Sequence, residues 1–273
     1  MSDVTTSASV ATIGAPTLHH LPRGAAISDT LVIVQRNLKR LVRTPQLLFF
    51  ATVQPVMFVL LFNYVFGKAL VVPGRSYVDF LLPGIFVQTV AFGGINTAVG
   101  LSSDLSSGIV NRFRSLPMAR SAVLAGRTMA DAVRNLAVVA LMIIVGSAVG
   151  FRFHNGFVPA LGAVGLALAF GFALAWLFAF IGLSLKEAET AQVAGIVLIF
   201  PLTFTSGAFS PTTAMPGWLQ AFSRNQPFTH VVNAMRSLTQ GGPVAHSLTM
   251  SLVWIVGMIA VFATLAVQRY RQG

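Results

Sequence analysis

Six stretches of this sequence run for about twenty residues almost without a charged side chain, at roughly 46–66, 78–101, 128–151, 157–185, 190–210 and 247–268. A bilayer core about 30 Å thick takes about 20 apolar residues to cross as a helix, because each backbone N–H and C=O must find its partner within the segment. The pattern predicts an all-α integral membrane protein with six transmembrane helices. Composition agrees: 55% of the 273 residues are hydrophobic, 9% are charged and the mean hydropathy is +0.78. Soluble domains carry about 25% charged residues to cover a wet surface. The third run opens on charged residues and is fully apolar only over 136–151, and Pro201 interrupts the fifth.

The 18 basic and 7 acidic residues give a net charge of +11, a balance that first suggests a polyanionic partner. Their positions argue otherwise. With the N-terminus in the cytoplasm, thirteen basic residues fall on that side, and five, Lys68, Arg75, Arg152, Arg224 and Arg236, on the other. That bias orients a multi-pass chain in the inner (cytoplasmic) membrane with both termini inside, and it removes the main support for nucleic-acid binding. With no cysteine in the chain, disulfide frameworks and thiolate metal sites are excluded.

Residues 1–27 read as a flexible cytoplasmic tail, polar and broken by Pro16 and Pro22, without the apolar stretch of a secretory signal. Residues 28–45 read as an amphipathic helix: Leu31, Val34, Leu38 and Leu41 share one face, and Arg36, Lys39, Arg40 and Arg43 the other. Such a helix lies in the membrane interface with its cations toward anionic lipid headgroups.

Between the second and third runs, Ile109, Phe113 and Leu116 recur at helical spacing, while Asn111, Arg112 and Arg114 point elsewhere and Ser115 precedes the helix-ending Pro117. An apolar knob flanked by guanidinium groups suits docking into a groove on a partner, since Phe and Arg supply much of the anchoring energy at interfaces. The plainer reading is an ordinary basic loop. Just beyond it, Arg127, Asp131 and Arg134 are spaced four and three residues apart, so that all three fit one helix face as an ion cluster at the membrane boundary. Inside the runs the polar residues are mostly uncharged: Gln54, Asn63, Gln88, Asn96 and Gln192, with packing between helices as their default role. Gly146 and Gly150 form a small-residue motif for close helix packing. Residues between the fifth and sixth runs, with Pro211, Pro216, Trp218 and Phe222, are too amphipathic for free coil and read as one or two short re-entrant helices at the outer interface.

Catalytic chemistry is hard to place. The five histidines lie in the tail and the outer loops, away from any carboxylate cluster, and Gly67-Lys68 lacks the flanking residues of a phosphate loop. Neither a catalytic, a cofactor-binding nor a metal site is assigned, and any energy for transport must come from another molecule.

Residues 108–117, the following Arg120 to Arg127 with Asp131 and Arg134, then Gly150 to Phe153, and Asn225-Gln226-Pro227-Phe228 with Met235-Arg236 together resemble the ABC-2 type permeases of ATP-binding-cassette transporters, in particular the daunorubicin-resistance type of membrane subunit. The resemblance implies an ABC-2 transmembrane domain over 46–271, with 28–44 as its connecting helix, 109–117 as its cytoplasmic coupling helix and 211–240 as its re-entrant region. It further implies an exporter of an amphipathic drug, lipid or glycolipid in which two copies of a cytoplasmic ATPase, carrying ATP and Mg, drive two permease subunits, as a homodimer or with a sister chain. Many such permeases carry a glutamate-rich stretch before the coupling segment, whereas here Asp104 is the sole acid. A non-transporting scaffold subunit and, on Asp131 with its arginines, a membrane-embedded enzyme are the alternatives.

Overall fold

The computed structural model describes residues 45–67, 76–107, 120–185 and 187–272. The tail, the basic entry helix with Arg36, Lys39, Arg40 and Arg43, and the 109–117 segment lie outside the described residues. Among those described there are helices and turns but no strand. In chain order the helices are α1 (Pro45–Leu61, continued by a π-helical turn, Phe62–Phe66), α2 (Tyr77–Ser106), α3 (Arg120–Val149), α4 (Phe157–Ser184), α5 (Ala188–Phe204), α6 (Gly217–Asn225), α7 (Pro227–Gln240) and α8 (Ala245–Gln272). Each apolar run falls on a helix. Among the described residues four helices, α2, α3, α4 and α8, are long and apolar enough to cross a membrane; α5 and the Thr52–Val65 stretch are shorter apolar helices.

Two boundaries differ from expectation, each for a local reason. Helix α3 begins at Arg120, within the charged foot that the apolar run leaves out, and ends where Gly150 takes a φ of 111°. Helix α5 stops at Phe204, short of 210. Thr205 returns its hydroxyl to the Pro201 carbonyl at 2.7 Å, and Gly207, at φ 72°, turns the chain back. At 1.5 Å per residue its 17 residues reach only about 26 Å.

Helix α2 is the axis of the molecule, with 83% of its apolar window buried. Ser76 caps its start by accepting the Asp79 N–H at 3.2 Å, and Asp79 in the first turn suits the positive helix end. Small residues bring α4 close: a Cβ on Gly182 would stand 2.5 Å from the Ala98 carbonyl oxygen, and Ser102 donates to the Gly182 carbonyl at 2.9 Å. Without a hydrophobic force between helices in lipid, such close approach supplies the packing. Gly146 of α3 likewise admits Leu82, while Gly150 faces open space and only ends the helix. Helix α8 covers α4 through Phe180 and Phe262, and Tyr270 is buried beside Leu101 and Trp176.

Residues 211–240 hold a 3-10 turn (Thr212–Ala214) and the amphipathic α6 and α7. Trp218 stands 76% exposed on α6, while α7 buries Phe228 edge-on against Phe170. Arg236 of α7 pins the turn after α5 to the start of α2. Its guanidinium donates to the carbonyls of Phe80, Gly207 and Ala208 at 2.9, 2.8 and 2.9 Å and lies 3.6 Å from the centre of the Phe80 ring. These carbonyls lie where water is scarce, so Arg236→Met should cost about 2 kcal/mol, or about 4–8 °C in melting midpoint for a chain of this length. Arg236→Lys should restore only part, because an ammonium has neither the planar fork nor the stacking face. Thermal unfolding in lipid nanodiscs checks both, and equal midpoints for Met and Lys would refute the forked geometry as the cause.

Candidate functional site

Charged residues are rare in this chain, and four of them, Asp104, Arg127, Asp131 and Arg134, meet along one seam. Arg127 of α3 forms an ion pair with Asp104 of α2 at 2.5 Å, and Arg134 pairs with Asp131 at 3.1 Å. The expected three-residue cluster is therefore two separate pairs: the side chain of Arg127 reaches across to α2, where its carboxylate partner lies, and leaves Asp131 to Arg134. Asp131 also accepts from the Thr97 hydroxyl, and Arg134 donates to the Gly93 carbonyl at 2.6 Å. Partners at 93, 97 and 104 on α2 thus meet 134, 131 and 127 on α3, a register that rises on one helix as it falls on the other. The two helices are stitched antiparallel over about 16 Å of α2 and about 10 Å of α3, eleven and seven residue steps at 1.5 Å each.

Glycines on α2 make room for the cations. A Cβ at Gly100 would overlap the Arg127 guanidinium, and one at Gly93 would stand 2.5 Å from the Asn135 side-chain oxygen and 3.3 Å from the Arg134 guanidinium. Both pairs are mostly shielded, with 21% side-chain exposure for Arg127 and Asp104 and 14% for Arg134 and Asp131. A shielded pair holds its geometry strongly, because losing either partner strands the other charge.

Beside this seam, halfway along α2, lies a cavity of about 450 Å³. Four of the five polar residues singled out in the apolar runs line it: Gln54 of α1, Gln88 and Asn96 of α2, and Gln192 of α5. Asn63 does not; its backbone carbonyl closes the π-helical turn by accepting from Gly67 at 3.1 Å. Arg134, expected only as part of the ion cluster, lines the α3 wall beside Asn135, which the sequence does not single out, and Phe58, Phe92 and Phe200 add aromatic surface. The size falls in the range of drug-sized binding sites. Gln88 is buried, 3% exposed, and its Nε2 has no hydrogen-bond partner. Gln54, Asn96 and Gln192 are exposed at the mouth. Thr89 is already committed, its hydroxyl donating to the Ile85 carbonyl at 2.7 Å.

The described histidines, His154, His230 and His246, lie elsewhere. His154 shares a hydrogen bond with Gln240 at 2.7 Å, and His230 faces His246 edge-on at 6.2 Å. Burial, and then the neighbouring His246, hold His230 below the usual histidine range. Asp131, on which an enzymatic reading rests, has one carboxylate oxygen bound by Thr97 and the other by Arg134.

Comparison with known proteins places this architecture. The ABC-2 type transporter family model matches residues 28–239. The chain is 33% identical over 249 residues to the daunorubicin resistance ABC transporter permease protein DrrB1 of Streptomyces coeruleorubidus, covering 91% of this chain and 88% of that protein. It is 31% identical over 248 residues to the probable doxorubicin resistance ABC transporter permease protein DrrC of Mycobacterium tuberculosis, covering 90% and 89%. A putative transport permease, ycf38 of Cyanophora paradoxa, is 28% identical over 78% of this chain and 74% of its own length.

Proposed function

Because this chain belongs to the ABC-2 type transporter family, we propose that it is the membrane-spanning permease subunit of an ATP-driven exporter of an amphipathic drug, lipid or glycolipid. Relatives matched over most of their length are named as permeases of daunorubicin and doxorubicin resistance, which supports a hydrophobic cargo. ATP and Mg belong to two copies of a separate cytoplasmic ATPase, and a second permease, identical or a sister chain, completes the pathway. In this reading α1 to α5 and α8 make six passes, α5 and α1 in part by way of their shorter apolar helices. Both termini lie in the cytoplasm, and α6 and α7 sit at the outer interface with Trp218 at headgroup level.

The observation that carries the mechanism is the ion-paired seam. Helices α2 and α3 flank residues 109–117, the segment that resembles the family's coupling helix. Asp104 and Arg127 tie their feet together, and Thr97, Asp131 and Arg134 tie them again where the cavity begins. A push on 109–117 by the closing ATPase therefore moves the two helices as one body and reshapes the cavity, a rigid-body form of alternating access. A scaffold subunit has no use for a polar mid-membrane cavity, since buried polar groups without partners are destabilising.

Reconstitution in vesicles with the candidate ATPase provides the test. The expected result is ATP hydrolysis stimulated by cargo and cargo accumulation on the side opposite the ATPase. Hydrolysis indifferent to cargo, with no accumulation, would leave the scaffold reading standing.

A further inference from the structure

We propose that His230 of α7 and His246 of α8 form a two-ligand site for a divalent late-transition-metal ion, copper, nickel or zinc, and that the bound ion ties the short helix α7 to the last helix. Binding is independent of the export reading; only its effect on efflux rests on that reading. The chain brings the two rings together by turning back on itself. After α7, Gly241 and Gly242 take φ values of 85° and 121°, and Ser237 donates to the Pro243 carbonyl at 3.0 Å. Residues 241–244 therefore run back beside α7, and α8 starts level with an earlier turn of it. There His230 and His246 meet edge-on, with ring centres 6.2 Å apart.

A metal about 2.1 Å from each coordinating nitrogen stands about 3.2 Å from each ring centre, so two imidazoles on one ion have centres about 5–6.5 Å apart. The observed spacing lies within that span. Histidine χ2 is a soft torsion and His246 is exposed, so the lone pairs can be brought to converge by turning rings, without moving backbone. The rings are also available. His154 is engaged with Gln240 at 2.7 Å, whereas His230 and His246 have each other and no hydrogen bond among the described residues. Burial holds His230 below the usual histidine range, which keeps its lone pair free at neutral pH.

The donor set selects the ion. Neutral imidazole suits copper, nickel and zinc, with copper bound most tightly, whereas magnesium and calcium call for oxygen ligands. No third His, Cys, Asp or Glu joins the pair among the described residues. A structural zinc centre closes all four positions with protein ligands, so this pair suits an exchangeable ion whose remaining positions are filled by water. The consequence lies in what α7 already holds. Arg236 grips the carbonyls of Phe80, Gly207 and Ala208, at the start of α2 and in the turn after α5. An ion between His230 and His246 adds α8 to that group, and any step that parts α8 from the start of α2 should slow.

The full chain without a histidine tag, and with His19→Gln and His20→Gln to silence the tail, is placed in phosphatidylcholine nanodiscs without ATPase and titrated with Cu²⁺, Zn²⁺ and Mg²⁺. Calorimetry should show one Cu²⁺ per chain, Zn²⁺ bound more weakly and Mg²⁺ not at all, and electron paramagnetic resonance should show two nitrogen ligands on the copper. Removing one imidazole of a chelating pair removes an intramolecular ligand, so His230→Gln and His246→Gln should each weaken Cu²⁺ binding at least about 10-fold. His246 is exposed, so its variant keeps the fold even where His230→Gln does not. Unchanged affinity in His246→Gln, equal affinity for Mg²⁺, or no Cu²⁺ binding would overturn the site. With the ATPase present, saturating Zn²⁺ should slow efflux, and His246→Gln should abolish that effect. Efflux indifferent to the bound ion would overturn the tie between α7 and α8, while ion binding as expected in a protein with no ATP-driven efflux would remove the export reading alone.

Discussion

Replacing Asp131 with Leu is expected to lower stability by about 3 kcal/mol, whereas replacing Asp131 and Arg134 together with Leu costs much less. The single change leaves the Arg134 guanidinium mostly shielded with only the Gly93 carbonyl for company, and stranding one member of a shielded ion pair typically costs about 3–5 kcal/mol. The double change removes both charges, and a well-packed apolar pair often equals or exceeds an ion pair in stability. The coupling energy in the double-mutant cycle should reach about 2 kcal/mol. Function should follow a different order. The double variant keeps its fold and loses both the Arg134 wall of the cavity and the second stitch between α2 and α3, so efflux should fall even where the melting midpoint recovers. Midpoints in nanodiscs and efflux from vesicles measure the two separately. A double variant no more stable than Asp131→Leu would mean that the pair is not what holds Arg134. One that recovers efflux in full would remove the seam from the mechanism.

How far the sequence discloses this site depends on how many helices each feature needs. An apolar run reports its own fate, because lipid forces each segment to satisfy its backbone alone; the helices were legible for that reason. Helix ends were less so, since Thr205 and Gly207 stop α5 by local hydrogen bonding and backbone geometry that hydropathy does not register. The seam requires two helices. Arg127, Asp131 and Arg134 announce a polar stripe, but the complementary stripe is quieter: Gly93, Thr97, Gly100 and Asp104 recur at spacings of four, three and four, and three of the four carry no charge. Matching the stripes antiparallel would have given Asp104 to Arg127. The lone acid before residues 109–117 is thereby accounted for within the chain, as a tie between α2 and α3. The cavity requires four helices. Gln54, Gln88, Asn96 and Gln192 stand out one at a time, yet only packing brings residues so far apart in sequence to one space.

In the proposed mechanism the segment between α2 and α3 receives the work of the ATPase, and alanine at Arg112, Phe113 and Arg114 together should then uncouple the transporter while leaving it in the membrane. These residues lie outside the described ones, and the expectation rests on their composition, on the resemblance to a coupling helix and on what frames them. A buried aromatic anchor and its flanking guanidinium groups typically carry at least about 2 kcal/mol of an interface, so ATPase docking should weaken by about 30-fold or more. The chain should still insert, because its apolar helices are untouched. Asp104→Ala offers the complementary failure: the knob remains and the ATPase docks, but Arg127 loses its partner and the foot of α2 is freed from α3. Hydrolysis should then persist with reduced efflux per ATP consumed. Co-purification of the ATPase, together with the ratio of cargo moved to phosphate released, distinguishes the two. If the triple variant docked and transported normally, the push would have to enter elsewhere; if Asp104→Ala kept a normal ratio, the ion pair would be a fold contact with no part in transmission.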